Sequence, residues 1–245
     1  MEKLSQKELD WLLQPNDSFR IGIESGPEIQ RRSASPKRSP TKIFLLLLSG
    51  VLGLIFPFFL LIRTSVYLIR TEQWNGWVAL VAGSVVTILF LWFLFVIIFR
   101  RAKHKKIVYK IGIASLSMMV FGFCMYGLMY LSGVNAKTED VRQVYRSLHP
   151  VLRVAVATTT LADKDLIITD IKRSPEDYLA MGLNPRQTSL HYPQKTGFVH
   201  AIDLRTIGHS EFRNKLLEIS LKTMGFQTIR HVGTADHLHV ALPLN

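Results

Sequence analysis

The chain is 245 residues long, room for one or two compact units, and its 30 Lys and Arg against 18 Asp and Glu leave a formal net charge of +12. Nearly half of it, 48%, is hydrophobic, and its single cysteine excludes a disulfide framework. The basic residues cluster beside long apolar runs and form no stripe interleaved with aromatics, which excludes nucleic acid as the expected partner.

Residues 1–42 read as a cytoplasmic tail, with an amphipathic start, KELDWLLQ, followed by RRSASPKRSPTK. That second stretch is rich in Ser, Pro and base and too poor in apolar residues to order itself. Three apolar runs follow within 43–133: Ile43–Ile62, Gly76–Phe99 and Ile111–Leu131. Each reaches the roughly 20 residues that a helix needs to cross a bilayer, and Pro57 in the first is tolerated in such helices. The polar residues before the first run, and the two runs after it, exclude a cleaved signal peptide. The expectation is three transmembrane helices.

Orientation follows from the short connections. Arg31, Arg32, Lys37, Arg38 and Lys42 precede the first run, and Arg100, Arg101, Lys103, Lys105, Lys106 and Lys110 lie between the second and third. Only Arg63 and Arg70 separate the first from the second. The N-terminus is therefore expected inside and the C-terminal part outside, with the basic clusters against anionic membrane lipids. The runs contain no acid, base or arginine in their interiors, which argues against transport or proton relay.

Residues 136–245 are enough for one small domain with its own core. Thr138 caps an expected helix with Val141, Val144, Tyr145 and Leu148 on one stripe. The β-branched VLRVAVATTT reads as a strand, as does DLIITDIK. Ser174, Pro175, Glu176 and Asp177 open a second helix. After the loop NPRQTSLHYPQKTG come a strand, FVHAIDLRT, and a helix from Ser210 to Gly225 with Phe212, Leu216, Ile219 and Met224 on one face. FQTIRHV and DHLHVALP end the chain as a hairpin turning at GTAD. The fold class expected is an α-helical membrane anchor plus an α+β domain with a mostly antiparallel sheet.

Alternation along DHLHVAL puts His237 and His239 on one face and Asp236 on the other. A hydrolytic zinc site needs three protein ligands, typically histidine and carboxylate, with a fourth position open and a proton acceptor nearby. A second donor segment holds His191, His200 and Asp203. On a strand, His200 and Asp203 face opposite sides, so His191, carried by the preceding loop, is the preferred partner of Asp203 and His239, with His200 as the alternative.

These residues carry a resemblance. SLHY, AIDLRT and DHLHV together resemble the superfamily of zinc D-alanyl-D-alanine carboxypeptidases, which also holds the vancomycin-resistance dipeptidases, phage L-alanyl-D-glutamate endopeptidases and the hedgehog signalling domain. Ser189 and His191 match its Ser-x-His, Ala201, Asp203 and Leu204 its Ala-x-Asp-Leu, and Asp236 and His239 its acid-x-x-His. The resemblance implies zinc held by His191, Asp203 and His239, Asp236 as general base, and His237 as an auxiliary acid/base. Arg173 matches the arginine that grips a substrate carboxylate, and Ser189 lies on the substrate side. The pattern departs in one place: eleven residues separate His191 from Asp203, where the family has about six, with PQKTG as the surplus. The function implied is a zinc peptidase cutting peptidoglycan stem peptides outside a bacterial cytoplasmic membrane. The alternative on the same fold is a non-catalytic binding module for cell wall or a signalling partner.

Overall fold

Three long helices take up the apolar runs: α1 (Pro40–Glu72), α2 (Gly76–Ile98) and α3 (Lys105–Met129). They belong to a computed structural model that describes residues 40–182, 184–185, 187–233 and 236–243. The expected tail up to residue 39, with the bases Arg31 to Arg38, lies outside the described residues. Among the described residues these three helices are long and apolar enough to cross a membrane. The chain divides into two units, Met1–Ser49 and Gly50–Asn245. The first contributes the opening turns of α1 and the second the rest of the described residues.

The first helix outruns its apolar stretch. It continues past Ile62 to Glu72, and its 33 residues extend about 50 Å at 1.5 Å each, well beyond the roughly 30 Å of a hydrocarbon layer. Ile62 and Val66 in this last part are fully buried in the protein core. A Cβ on Gly225 would lie 2.7 Å from the Arg63 guanidinium and 2.8 Å from Val66 Cγ1, so the last part of α1 lies directly against Gly225.

Thr138 caps α4 (Glu139–Gln143), its hydroxyl accepting from the Val141 N–H, and a 3-10 turn (Val144–Ser147) follows. The segment VLRVAVATTT is not a strand. It forms α5 (Pro150–Ala162), with Pro150 at the first position and His149 Nδ1 accepting from the Val151 N–H. Its β-branched residues favour strands in isolation, yet Val151, Leu152, Val154, Ala155 and Val156 are all buried. Helix α5 packs against α2 and α3, and its buried side chains join one core with Ile202, Leu204, Leu238 and Val240 of the sheet, where a mostly apolar helix is stable. The hydroxyls of Thr158, Thr159 and Thr160 donate to carbonyls one turn back, at Val154, Ala155 and Val156, so the threonines satisfy themselves inside the helix. Close approach to α3 requires glycine at 127, where a Cβ would lie 3.0 Å from Ala157 Cβ and 3.2 Å from Val154 Cα.

A four-stranded sheet supports the rest. Strands β1 (Ile168–Asp170), β2 (Ala201–Arg205), β3 (Gln227–His231) and β4 (His237–Ala241) lie in the order β1-β2-β4-β3, every neighbouring pair antiparallel. The small antiparallel sheet thus forms as expected, within a largely helical molecule. Ser174 opens α6 (Pro175–Ala180) with a full capping box to Asp177. Helix α7 (Glu211–Met224) starts at Ser210 and stops at Gly225, whose φ of +105° is the left-handed cap that favours glycine.

The docked face of α7 differs from the expected one. Of the expected stripe only Met224 is buried; Phe212, Leu216 and Ile219 are exposed at 79%, 55% and 49%, and Asn214 and Leu221 are buried with Met224. Two apolar stripes share this helix. Tertiary packing selects the one with Asn214, whose amide donates to the Thr206 carbonyl at the end of β2.

Candidate metal centre

The centre is built on the register between β2 and β4. Asp203 pairs directly with His239, and Arg205 with His237. In β4 the residues Leu238 and Val240 are buried while His237 and His239 are only half-buried, so the two histidines share the open face, as alternation requires. Asp203 points to that same face, and His239 Nδ1 lies 2.8 Å from its Oδ1.

The third member arrives from the loop before β2. His191 is buried and its Nε2 lies 3.2 Å from His239 Nδ1 and 3.5 Å from Asp203 Oδ1. The surplus PQKTG closes on itself rather than displacing the histidine. The Gln194 N–H donates to the Phe198 carbonyl and the Gly197 N–H to the Gln194 carbonyl, with Gly197 at a φ of +79°. The strand edges then continue past this turn: the His200 N–H donates to the Leu190 carbonyl, and the Arg173 N–H to the His191 carbonyl.

Three ligand atoms therefore form a triangle with edges of 2.8, 3.2 and 3.5 Å. Ligands about 2.0–2.1 Å from a tetrahedral ion lie about 3.3 Å from one another, so one ion can sit over this triangle with a fourth position free. His191, Asp203 and His239 are a group that can hold a metal ion. The surroundings fit the role. His191 Nδ1 lies 2.7 Å from the Ile171 carbonyl; donating its proton there leaves Nε2 with a bare lone pair facing the centre, the usual way a metal-ligating imidazole is oriented.

Asp203 is 1% exposed. Burial alone raises the pKa of its carboxyl, but His191, His239 and Arg173 around it hold it far below the usual carboxylate range. The Arg173 guanidinium donates to Asp203 Oδ2 and, through Nε at 2.5 Å, to Asp170 Oδ2. It also lies 5.4 Å from the centre of the Tyr178 ring. The residue expected to grip a substrate carboxylate is thus already bound to two carboxylates of its own chain. Ser189 accepts from the His191 N–H at 3.2 Å and shares a 2.5 Å hydrogen bond with the Tyr178 hydroxyl, so it shapes the turn that presents His191.

Asp236 is not brought to the centre. Its carboxylate accepts from Arg230 Nε and Nη2 and from the Thr206 hydroxyl. Arg230 alternates with Ile229 and His231 on β3, so this cluster lies on the opposite face of the sheet from Asp203. Hydrogen bonds from Arg230 and Thr206 hold the Asp236 carboxyl down to about 2. His237, by contrast, stands at the centre: its Nε2 is 3.9 Å from Asp203 Oδ2, and its ring stacks on His231 at 4.7 Å.

His200 turns the other way. It is fully buried, its Nε2 lies 2.7 Å from Thr196 Oγ1, and its ring lies 4.7 Å from that of His149. Together with Trp74, Trp77 and Phe198 these histidines line a separate cavity of about 330 Å³ beside the α1–α2 turn. Burial lowers the pKa of His200 to about 4, and burial with the neighbouring His200 and Arg153 lowers that of His149 to about 3.

Sequence reasoning missed Asp170, Tyr178, His231 and the Ile171 carbonyl. Asp170 ends β1 and Arg173 lies in the loop after it, a spacing without a regular face, so nothing local announces their ion pair. His231 follows from the hairpin register alone. No protein-family model, curated protein or solved structure matches this chain.

Proposed function

We propose that the protein is a membrane-anchored, zinc-dependent peptidase acting on peptidoglycan stem peptides, on the scaffold of the D-alanyl-D-alanine carboxypeptidase superfamily. The observation that carries this reading is the His191–Asp203–His239 triangle, with two imidazoles and one carboxylate at tetrahedral spacing. Zinc suits this donor set, and when bound it supplies Lewis acidity, lowering the pKa of water toward about 7 and polarising a carbonyl. Arg173 pairs with Oδ2 of Asp203 and leaves Oδ1 toward the two histidines. His237, stacked on His231 and half-buried at the rim, is the residue placed to take a proton and return it to a leaving amine. Asp236, tied to Arg230 behind the sheet, serves the hairpin in this reading.

Three glycine contacts support an extracytoplasmic position for the domain. The end of α1 meets Gly225, the start of α2 meets His149 at Gly76, and the end of α3 meets Ala157 at Gly127. These three helix ends therefore lie on one side with the domain, and the basic α2–α3 connection lies at the other end of the helices. The positive-inside rule assigns that basic end to the cytoplasm.

The test is zinc analysis of the full-length protein in lipid nanodiscs, with hydrolysis of purified muropeptides beside it. One zinc per chain and cleavage, both lost in His239→Ala, is the expected result. A protein that binds no zinc rules out the peptidase. Zinc without cleavage favours the second reading, a non-catalytic cell-wall or signalling binding module, which the engagement of Asp236 by Arg230 supports.

A further inference from the structure

We propose that Arg205 is the anchor for a substrate carboxylate lying within one residue of the bond cut at the His191–Asp203–His239 centre; this rests on the peptidase reading above. The register of the sheet places it. On the open face, one row runs Asp203, His239, Ile229 across β2, β4 and β3, and the next row runs Arg205, His237, His231. Successive same-face rows are about 6.8 Å apart, two residues of strand. Arg205 therefore stands one row from the metal ligand on its own strand, directly across from the rim histidine His237.

Its electrostatic state sets it apart. Arg205 is exposed at the strand end, and among the described residues its guanidinium has neither an ion pair nor a hydrogen bond. The other two arginines near the sheet are engaged. Arg173 is bound to Asp170 and Asp203, and Arg230 to Asp236 and Glu211 on the far face. The acids closest in the fold are thus already compensated, and Arg205 presents an uncompensated positive charge beside the centre. A guanidinium binds a carboxylate through a planar, two-point fork.

The spacing selects the substrate. One extended residue spans about 3.6 Å and a charge-assisted hydrogen bond about 2.8 Å, together close to the row spacing. A peptide whose scissile carbonyl lies at the centre would put the carboxylate of the next residue on Arg205. The preferred substrate is then a stem peptide with a free C-terminal carboxylate one residue past the cut, and the reaction removes a single terminal residue. A peptide whose C-terminus is amidated or cross-linked loses this contact.

The experiment uses full-length protein in nanodiscs and two probes, a peptide ending in D-Ala-D-Ala and the same peptide as its C-terminal amide. Binding is read by calorimetry on chelator-treated protein, where no turnover occurs, and hydrolysis on zinc-loaded protein. A hydrogen-bonded charge pair is worth roughly tenfold to a hundredfold in affinity, so wild type should bind the acid at least about tenfold tighter than the amide. R205A and R205Q should abolish that preference through KM, R205K should keep part of it, and all three should retain wild-type zinc content. Equal binding of acid and amide by wild type, or a preference that survives in R205A, overturns the proposal. An acid preference lost in R205A, without hydrolysis by any zinc-loaded variant, supports the anchor and refutes the peptidase.

Discussion

Arg230 holds Asp236 in a two-point ion pair, Nε 2.6 Å from Oδ1 and Nη2 2.8 Å from Oδ2, on the side of the sheet away from the His191–Asp203–His239 triangle. A carboxylate so engaged is a poor base, and its loss should be felt in folding rather than chemistry. Asp236→Asn is expected to keep its zinc and its turnover while losing about 1–3 kcal/mol of stability from the partly buried pair. His237→Ala should keep its fold and lose about a hundredfold or more in kcat, the usual share of a general acid/base. Melting curves and kcat measured side by side check both. A collapse of kcat with unchanged melting in Asp236→Asn would return the base role to Asp236.

His191 and His200 face opposite sides of the chain that connects them. His191→Ala is therefore expected to abolish zinc retention, and His200→Ala to leave it intact while lowering the melting temperature through the space it opens. Mass spectrometric metal analysis after dialysis decides between them. Retention by the first and loss by the second would reverse the assignment.

Gly225 combines a φ of +105° with contact distances of 2.7 and 2.8 Å from a hypothetical Cβ to Arg63 and Val66. Gly225→Ala meets strain in both the backbone and the packing. A loss of roughly 1–3 kcal/mol is expected, read as a lower melting temperature of the full-length protein. Gly208→Ala shares the positive φ but has open space around it, so it should cost less. Equal losses in the two variants would show that the α1 contact contributes nothing.

Two buried histidines make stability depend on pH. His149 and His200 titrate near about 3 and about 4 in the folded protein because burial disfavours their charged forms, against about 6.5 in an unfolded chain. The unfolded state binds more protons across that interval, so stability rises with pH there. The contribution is complete above about 6.5 and erodes as the pH falls toward about 4, at up to about 1.4 kcal/mol per pH unit for each histidine. Denaturant midpoints measured from pH 7 to pH 4 should show this slope, and His200→Phe should flatten it. An unchanged slope in that variant would rule out His200 as its source.

Much of the fold was legible locally. Uncharged runs long enough for a bilayer, the caps at Thr138, Ser174 and Ser210, and the stop at Gly225 all act over a few residues, and each forms where its signal stands. The period of two along DHLHV put His237 and His239 on one face for the same reason. The failures share the opposite character. The β-branched α5 is a helix because it packs against α2 and α3 and shares one core with the sheet. Helix α7 buries Met224 as expected, but with Asn214 and Leu221 rather than Phe212, Leu216 and Ile219, because the packing site chooses the face. At the centre, sequence by itself determined which residue types and strand faces were present. The tertiary structure alone decided that the PQKTG turn folds away and returns His191, that Arg173 and Asp236 are claimed by Asp203 and Arg230, and that Arg205 has no partner among the described residues. Those outcomes depend on which charges meet across distant segments, and no local spacing encodes that.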